Sequence, residues 1–266
     1  MYNAQLELAL FAAKEAGKIV MEIYNAHSAV VEIKEDNSPV TQADKAADTL
    51  IRKILHEKYP DYGMLTEESS EDFGRLEKDY VWIVDPIDGT KDFIARDGEF
   101  TINIALSYRH EIVVGVISIP AIDTIFYAEK GQGSYRIKNG TTERIHSSNK
   151  LKNLTALVSH FHQTDKEVEY LNSHKDLITK VVKCGSSYKA CKIAEGSAEF
   201  NIKIGPGTKE WDIAASDIIV SEAGGIYAKP NGEKIRYNRN DVYNREGFII
   251  INKCRRSLFT VFLQNK

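Results

Sequence analysis

The sequence predicts an α+β section followed by an α/β section, folded as two subdomains. Three observations carry this expectation. At 266 residues the chain exceeds a typical domain of ~150 residues. Two amphipathic helical patterns precede a succession of short β-rich runs. Beyond residue 154 apolar strands alternate with helices, the signature of an α/β half. The polar stretch 147–153 is the expected boundary, giving an N-terminal α+β subdomain over 1–149 and a C-terminal α/β subdomain over 150–266.

Residues 2–24 place Leu6, Ala9, Leu10, Ala13, Ala16, Val20 and Ile23 at helical spacing on one apolar face. A second helix is predicted over 41–59: Pro39 precedes it, Thr41 suits an N-cap, and Ala43, Ala46, Ala47, Leu50, Ile51, Ile54 and Leu55 turn inward. Residues 80–84 read as a strand halted by Pro86. Strands follow over 101–107, 112–119 and 124–128, with Pro120 and Asp123 supplying a turn. The segment from 131 to 153 completes the β-rich section. Strands over 156–159, 180–184, 200–204 and 248–252 then alternate with helices over 167–171, 187–195, 211–222 and 255–263.

With 42% hydrophobic and 27% charged residues the composition is that of a soluble globular protein. A chain this long buries roughly three quarters of its unfolded surface and needs no disulfides. Cys184, Cys191 and Cys254 fit neither a disulfide framework nor a C-x-x-C metal site. They read as small buried residues in a reducing compartment. The net charge of -3 argues against a protein living mainly on non-specific nucleic-acid contacts but leaves room for one small phosphorylated substrate. No apolar run approaches the ~20 residues of a membrane span. Glu7, Lys14, Glu15 and Lys18 interrupt the N-terminal apolar pattern, unlike an export signal. The expected location is cytoplasmic, with peripheral association with the inner membrane left open.

The chemistry concentrates in Asp85-Pro86-Ile87-Asp88-Gly89-Thr90. A hydrophobic strand delivers Asp85, and Asp88 follows across a Pro bend. The two carboxylates can converge on one hard cation, with the Ile87 carbonyl as a third oxygen ligand. Gly89 and Thr90 then present backbone N–H groups where a helix begins, a seat for a phosphate oxygen. Two further acidic positions lie far away in sequence: Glu67, with Glu68, after a short apolar run, and Asp212 at the start of a helix. Singly, these are an acidic turn, a solvated loop and a carboxylate favoured by the helix dipole. Together they supply what a multi-metal phosphatase needs, several carboxylates whose repulsion cations neutralise.

Thr66-Glu67-Glu68, Asp85 to Thr90, and Trp211-Asp212-Ile213-Ala214-Ala215 with Glu222-Ala223-Gly224-Gly225 resemble the three signatures of the inositol monophosphatase superfamily, from about residue 4 to 252. Within it, Thr90-Lys91-Asp92-Phe93, the 96–105 segment and Gly185-Ser186-Ser187-Tyr188-Lys189 resemble the 3′(2′),5′-bisphosphate nucleotidase branch. The resemblance implies a layered αβαβα sandwich and a lithium-sensitive, Mg2+-dependent phosphomonoesterase. It further implies conversion of adenosine 3′,5′-bisphosphate to AMP and phosphate, which clears a by-product of sulfate activation.

Carried over by position, Glu67, Asp85, the Ile87 carbonyl, Asp88 and Asp212 bind two or three Mg2+ ions. Thr90, hydrogen-bonded towards Asp44, orients the attacking water, so that Asp44, Glu67 and Thr90 form the catalytic set. The Gly89 and Thr90 backbone holds the scissile phosphate. Asp44 is also placed as the third residue of a capping box behind Thr41. His162, Ser186, Lys189, Lys203 and Asp212 are assigned to the nucleotide. His160 and His162, two apart, are expected on one face by strand alternation. At Lys203 the branch often has Arg, whose fork grips phosphate bidentately as Lys does not. The implied mechanism is direct attack of metal-activated water, without a phospho-enzyme. An inositol monophosphatase or a fructose-1,6-bisphosphatase-like enzyme of the same superfamily is the alternative. A phosphate- or RNA-binding regulator without catalysis is the reading from another class. Monomer and homodimer remain equally open.

Overall fold

The computed structural model describes residues 1–26, 31–33, 39–69 and 72–252. Helix α1 (Asn3–Asn25) buries the apolar stripe read from the sequence, with Leu6, Ala9, Leu10, Ala13, Ala16 and Val20 inward. An antiparallel ribbon of β1 (Val31–Ile33) and β2 (Pro39–Thr41) leads into α2 (Gln42–Lys58). Thr41 caps α2: its Oγ1 accepts from the Ala43 N–H at 3.1 Å, and the Asp44 carboxylate accepts from the Thr41 N–H at 2.8 Å. The reciprocal capping box expected at this position forms.

A seven-stranded sheet follows, from β3 (Gly63–Thr66) and β4 (Tyr80–Asp88) through β5 (Thr101–Tyr108), β6 (Glu111–Ile119), β7 (Thr124–Glu129), β8 (Gly133–Lys138) and β9 (Thr141–Ile145). The strands lie in chain order; β3 runs parallel to β4, and the rest form an antiparallel meander. The six-residue helix α3 (Thr90–Ala95) stands between β4 and β5. One expectation is corrected here. Pro86 does not halt β4, which continues to Asp88 with a change of register: Asp85 pairs with Asn103 and Asp88 with Thr101. Three steps on β4 match two on β5, so a bulge absorbs the proline that could not donate to a regular ladder.

The second sheet takes β10 (Leu154–Val158), β11 (Ile178–Lys183), β12 (Phe200–Ile204), β13 (Ile226–Ala228) and β14 (Gly247–Ile251), with α4 (Asp165–Ser173), α5 (Tyr188–Ala194) and α6 (Glu210–Glu222) interspersed. Its order is β11-β10-β12-β14-β13. β10 is parallel to β11 and β12, whereas β14 is antiparallel to both of its neighbours. The alternation expected from the sequence therefore gives a mixed sheet: β14 is reached through a loop rather than a crossover helix. The helix expected over 255–263, and Cys254, lie outside the described residues.

Alternation along β4 separates two cores. Trp82 and Val84 pack with α1 and α2, while Val81 and Ile83 face α5 and α6 on the other side. Leu157, Phe248 and Ile250 close that inner core from the second sheet, whose far face is covered by α4 through Leu171. The layers are helices, seven strands, helices, five strands and a helix, the αβαβα sandwich expected. Among the described residues no helix is long and apolar enough to cross a membrane.

Candidate active site

Three chain segments end at one point between the sheets. The bulged end of β4 brings Asp85 and Asp88, and the first turn of α6 brings Asp212. One carboxylate oxygen from each lies within 4.8 Å of the others. Glu67, just past β3, is tied to β4 by its N–H to the Val84 carbonyl at 3.2 Å, and its side chain meets Asp85. Asp85 is 1% exposed; its Oδ1 accepts from the Ile87 N–H at 3.1 Å, and its Oδ2 is enclosed with no hydrogen-bond partner. Asp212 Oδ2 accepts from the Lys209 N–H at 2.5 Å.

Burial pushes the Asp85 carboxyl well above the usual range, and the charges of Glu67, Asp88 and Asp212 push it further. Asp212 is raised in the same sense by burial, then by Asp88 and Glu67. Such a cluster is stable only if protons or cations offset the repulsion. The donor set is all oxygen, with a buried carboxylate oxygen lacking any partner, and it fits a hard divalent cation.

Asp88 is held from behind by groups that the sequence reading did not single out. The Ser187 N–H and Oγ each donate to Asp88 Oδ2 at 2.6 Å. Asn103 Nδ2 donates to Ser187 Oγ at 2.9 Å and reaches Asp88 Oδ2 at 3.4 Å. A polar Asn in the middle of the apolar run 101–107 was the available signal for it.

Gly89 opens α3 with φ 90°, and a Cβ there would stand 3.1 Å from both Asp92 Oδ2 and Ser186 Cβ. Thr90 Oγ1 donates to Asp44 Oδ1 at 3.1 Å. Asp44 Oδ2 accepts from Thr41 Oγ1 at 2.6 Å, so its capping role and its contact with Thr90 hold together. Burial raises the Asp44 carboxyl against the lowering effect of the Thr41 and Thr90 hydrogen bonds.

The opposite wall is the Gly185–Ser187 turn before α5. Glu99 clamps it: Oε2 accepts from the Gly185 N–H at 2.7 Å, and its carbonyl accepts from Ser186 Oγ at 2.5 Å. Lys189 Nζ donates to the carbonyls of Ser186 at 2.6 Å and Cys184 at 3.3 Å. Lys203 Nζ donates to the His162 carbonyl at 2.9 Å and pairs with Glu167 at 3.1 Å. Burial, then Lys91, Lys203 and Lys189, pull the His162 imidazole below its ordinary value.

The two histidines do not share a strand face. β10 ends at Val158, and the Phe161 and His162 N–H groups both turn onto Ser159 Oγ, at 3.3 and 3.1 Å. His160 Nε2 meets Glu99 Oε2 at 2.9 Å instead, while His162 lines the cleft. That cleft, of about 510 Å3, is bordered by every predicted site residue except Asp44, which stands behind Thr90. Trp211, Tyr227 and Phe248 add apolar surface. Carboxylates thus face lysines across one opening, an arrangement able to hold cations and a phosphate ester together.

The sequence model of the inositol monophosphatase family matches residues 3–259. The 3′(2′),5′-bisphosphate nucleotidase CysQ of Salmonella typhimurium is 35% identical over 245 residues, covering 91% of this chain and 98% of that protein. An inositol monophosphatase of Dictyostelium discoideum is 32% identical over 237 residues, 86% of each chain. Among solved structures, CysQ from Bacteroides thetaiotaomicron, described as a bacterial member of the inositol monophosphatase family, superposes with a TM-score of 0.83 at 33% identity over 95% of this chain and 98% of that one. An inositol monophosphatase from Thermotoga maritima gives 0.81 at 25% identity over 99% and 97%.

Proposed function

The chain belongs to the inositol monophosphatase family of metal-dependent phosphatases, and we propose that it is a Mg2+-dependent nucleotidase hydrolysing adenosine 3′,5′-bisphosphate to AMP and phosphate. The observation that carries this reading is the cleft itself: an all-oxygen carboxylate cluster with a partnerless buried oxygen faces Ser186, Lys189 and Lys203. One side suits the reacting phosphate with its cations, the other a second phosphate. The nucleotidase CysQ relatives support the nucleotide as substrate.

In this reading Glu67, Asp85, the Ile87 carbonyl, Asp88 and Asp212 hold two or three Mg2+ ions, with Asp44 near a third. When bound, the ions lower the pKa of water and neutralise charge on the phosphoryl and leaving oxygens. Asp44 Oδ1 accepts the Thr90 hydroxyl hydrogen bond, which leaves the Thr90 oxygen lone pairs to orient the attacking water, together with Glu67. Water adds to phosphorus in line and gives up a proton; the bond to the ribose 3′-oxygen breaks and that oxygen takes up a proton as it leaves, with no phospho-enzyme. The N–H groups of Gly89 and Thr90, at the start of α3, hold the phosphoryl oxygens. Ser186, Lys189 and Lys203 take the 5′-phosphate, and His162 and Asp212 contact the nucleoside.

The reading extends to a cytoplasmic, lithium-sensitive enzyme of sulfur metabolism. Residues 1–149 then carry most of the metal ligands and 150–266 the nucleotide contacts. An inositol phosphate is the second reading, favoured by the Dictyostelium relative and by Glu167, which already neutralises Lys203. Phosphate release from adenosine 3′,5′-bisphosphate, inositol 1-phosphate and fructose 1,6-bisphosphate under Mg2+ decides between them. The nucleotide should be preferred; faster turnover of inositol 1-phosphate would overturn the assignment.

A further inference from the structure

Beside the Gly185–Ser187 turn lies a second group of ligating side chains that the reaction does not use, although one of them, Asp92, also borders the cleft. Asp92 is the third residue of α3. The chain reverses at Arg96, with φ 62°, and the Asp97 N–H donates to the Asp92 carbonyl at 3.4 Å. That reversal brings the Asp97 carboxyl within hydrogen-bonding reach of the Asp92 carboxyl. His160 arrives from beyond β10. One ligand atom from each of Asp92, Asp97 and His160 lies within 4.8 Å of the others.

Asp92 is the informative member. Its side chain is 5% exposed, and its Oδ1 is enclosed without a hydrogen-bond partner. Burial, then the hydrogen-bonded Asp97 carboxyl, raises Asp92 to about 8, so the pair holds a proton that a bound cation would displace. Lys189 is near enough to be felt electrostatically, but its ammonium is committed to two backbone carbonyls. Lys192 lies against Glu99, 3.8 Å from its Oε1. The backbone makes room for this carboxylate: a Cβ at Gly185 would fall 2.6 Å from Asp92 Oδ1. Asp97 is held by the Glu99 N–H, 2.8 Å from its Oδ1. The contact of His160 Nε2 with Glu99 at 2.9 Å is a carboxylate–imidazole pairing of the kind that orients a ligating histidine.

We propose that Asp92, Asp97 and His160 form a second cation site, separate from the cleft cluster and suited to a divalent transition ion such as Zn2+. A mixed set of two carboxylates and one imidazole favours such an ion over Mg2+, which the all-oxygen cluster prefers. The site joins the end of α3, the loop into β5 and the exit of β10 around the turn that holds Asp88. Its occupancy braces that turn. The inference stands independently of which phosphate ester the cleft accepts.

Equilibrium dialysis of Zn2+ against the full chain in excess Mg2+ tests it, read together with the thermal midpoint. One equivalent of Zn2+ should bind, persist in Asp212→Asn, and raise the midpoint by mass action. His160→Ala and Asp97→Asn should each weaken that equivalent roughly ten- to hundredfold. Both side chains reach solvent, so both variants should keep the wild-type midpoint without metal. Absence of the equivalent from Asp212→Asn overturns the site. So does Zn2+ binding that both His160→Ala and Asp97→Asn leave unchanged.

Discussion

Ser187→Ala is the sharpest test of how the cleft carboxylates are held. The Ser187 hydroxyl has one proton and two acceptors in reach, Asp88 Oδ2 at 2.6 Å and the Asp212 carbonyl at 3.0 Å. The shorter, charged partner wins. Substitution removes that donor and leaves the Ser187 N–H, also at 2.6 Å, as the remaining strong one. Asn103 Nδ2 loses its 2.9 Å acceptor and keeps only the 3.4 Å approach to Asp88. A hydrogen bond to a charged group is worth about 1.5–3 kcal/mol. At ~1.4 kcal/mol per tenfold, that is roughly a ten- to hundredfold loss, the range typical of groups that orient metal ligands. Phosphate release measured against Mg2+ concentration should show half-saturation rising by that factor, with a smaller fall in rate at saturating Mg2+. A chelated sample should unfold near the wild-type midpoint. Unchanged half-saturation in a folded Ser187→Ala protein would refute the view that this hydroxyl aims Asp88 at a cation.

Asp88→Asn should fold normally and lose nearly all turnover, since it deletes a cluster charge at constant volume; near-wild-type rates in saturating Mg2+ would remove Asp88 from the catalytic set. Activity should fall when Ca2+ replaces Mg2+, because the larger ion relaxes the octahedral geometry; equal rates with either ion would contradict the mechanism. Lys189→Ala should raise KM for adenosine 3′,5′-bisphosphate roughly ten- to hundredfold. Because Lys189 Nζ also ties the Ser186 and Cys184 carbonyls, 3′-AMP should lose a little as well, and equal losses on both substrates would misplace the 5′-phosphate pocket. Burial raises Asp217 to about 6, so its contribution to stability is complete below the ordinary carboxylate range and is lost as pH rises through about 6. Thermal midpoints from acid to neutral pH should therefore fall more in wild type than in Asp217→Asn; parallel profiles would exclude Asp217 as the source.

What the sequence disclosed depended on how local each determinant is. Thr41 and Asp44 are three residues apart, and their capping box is readable because both partners sit in one helical turn. The Asp85 to Thr90 run is readable because chemistry and chain order coincide. Asn103 was missed because its meaning lies in a pairing register: only once Asp85 stands opposite it does a strand asparagine become a support for the cluster. Ser187 and Asp88 meet across 99 residues, and Glu99 and Gly185 across 86, separations that periodicity cannot bridge. Pro86 misled for a physical reason: a bulge accepts a residue without an N–H, so the strand outlasts its apparent breaker. The two histidines misled because alternation was applied past the end of β10. β13, with three residues, is too short to show any period.

The position of the cluster follows from packing as much as from chemistry. Buried like charges cannot sit inside either apolar core, so they collect where β3, β4 and α6 end together. How close α6 comes to the sheet is set by Gly115 on β6, where a Cβ would fall 2.8 Å from the Ala215 carbonyl and 2.5 Å from Ile218 Cγ2. Ala215 is one turn along α6 from Asp212. A backbone contact in the apolar layer therefore fixes how near the Asp212 carboxylate comes to Asp85 and Asp88. Glu210, fully buried at the start of α6, anchors the same end by accepting from the Asn238 and Arg239 N–H groups at 2.6 and 2.8 Å. The spacing of the three carboxylates is held from the apolar side by helix–sheet contact and from the polar side by Ser187, which leaves their mutual repulsion across the cleft to be offset by protons or cations.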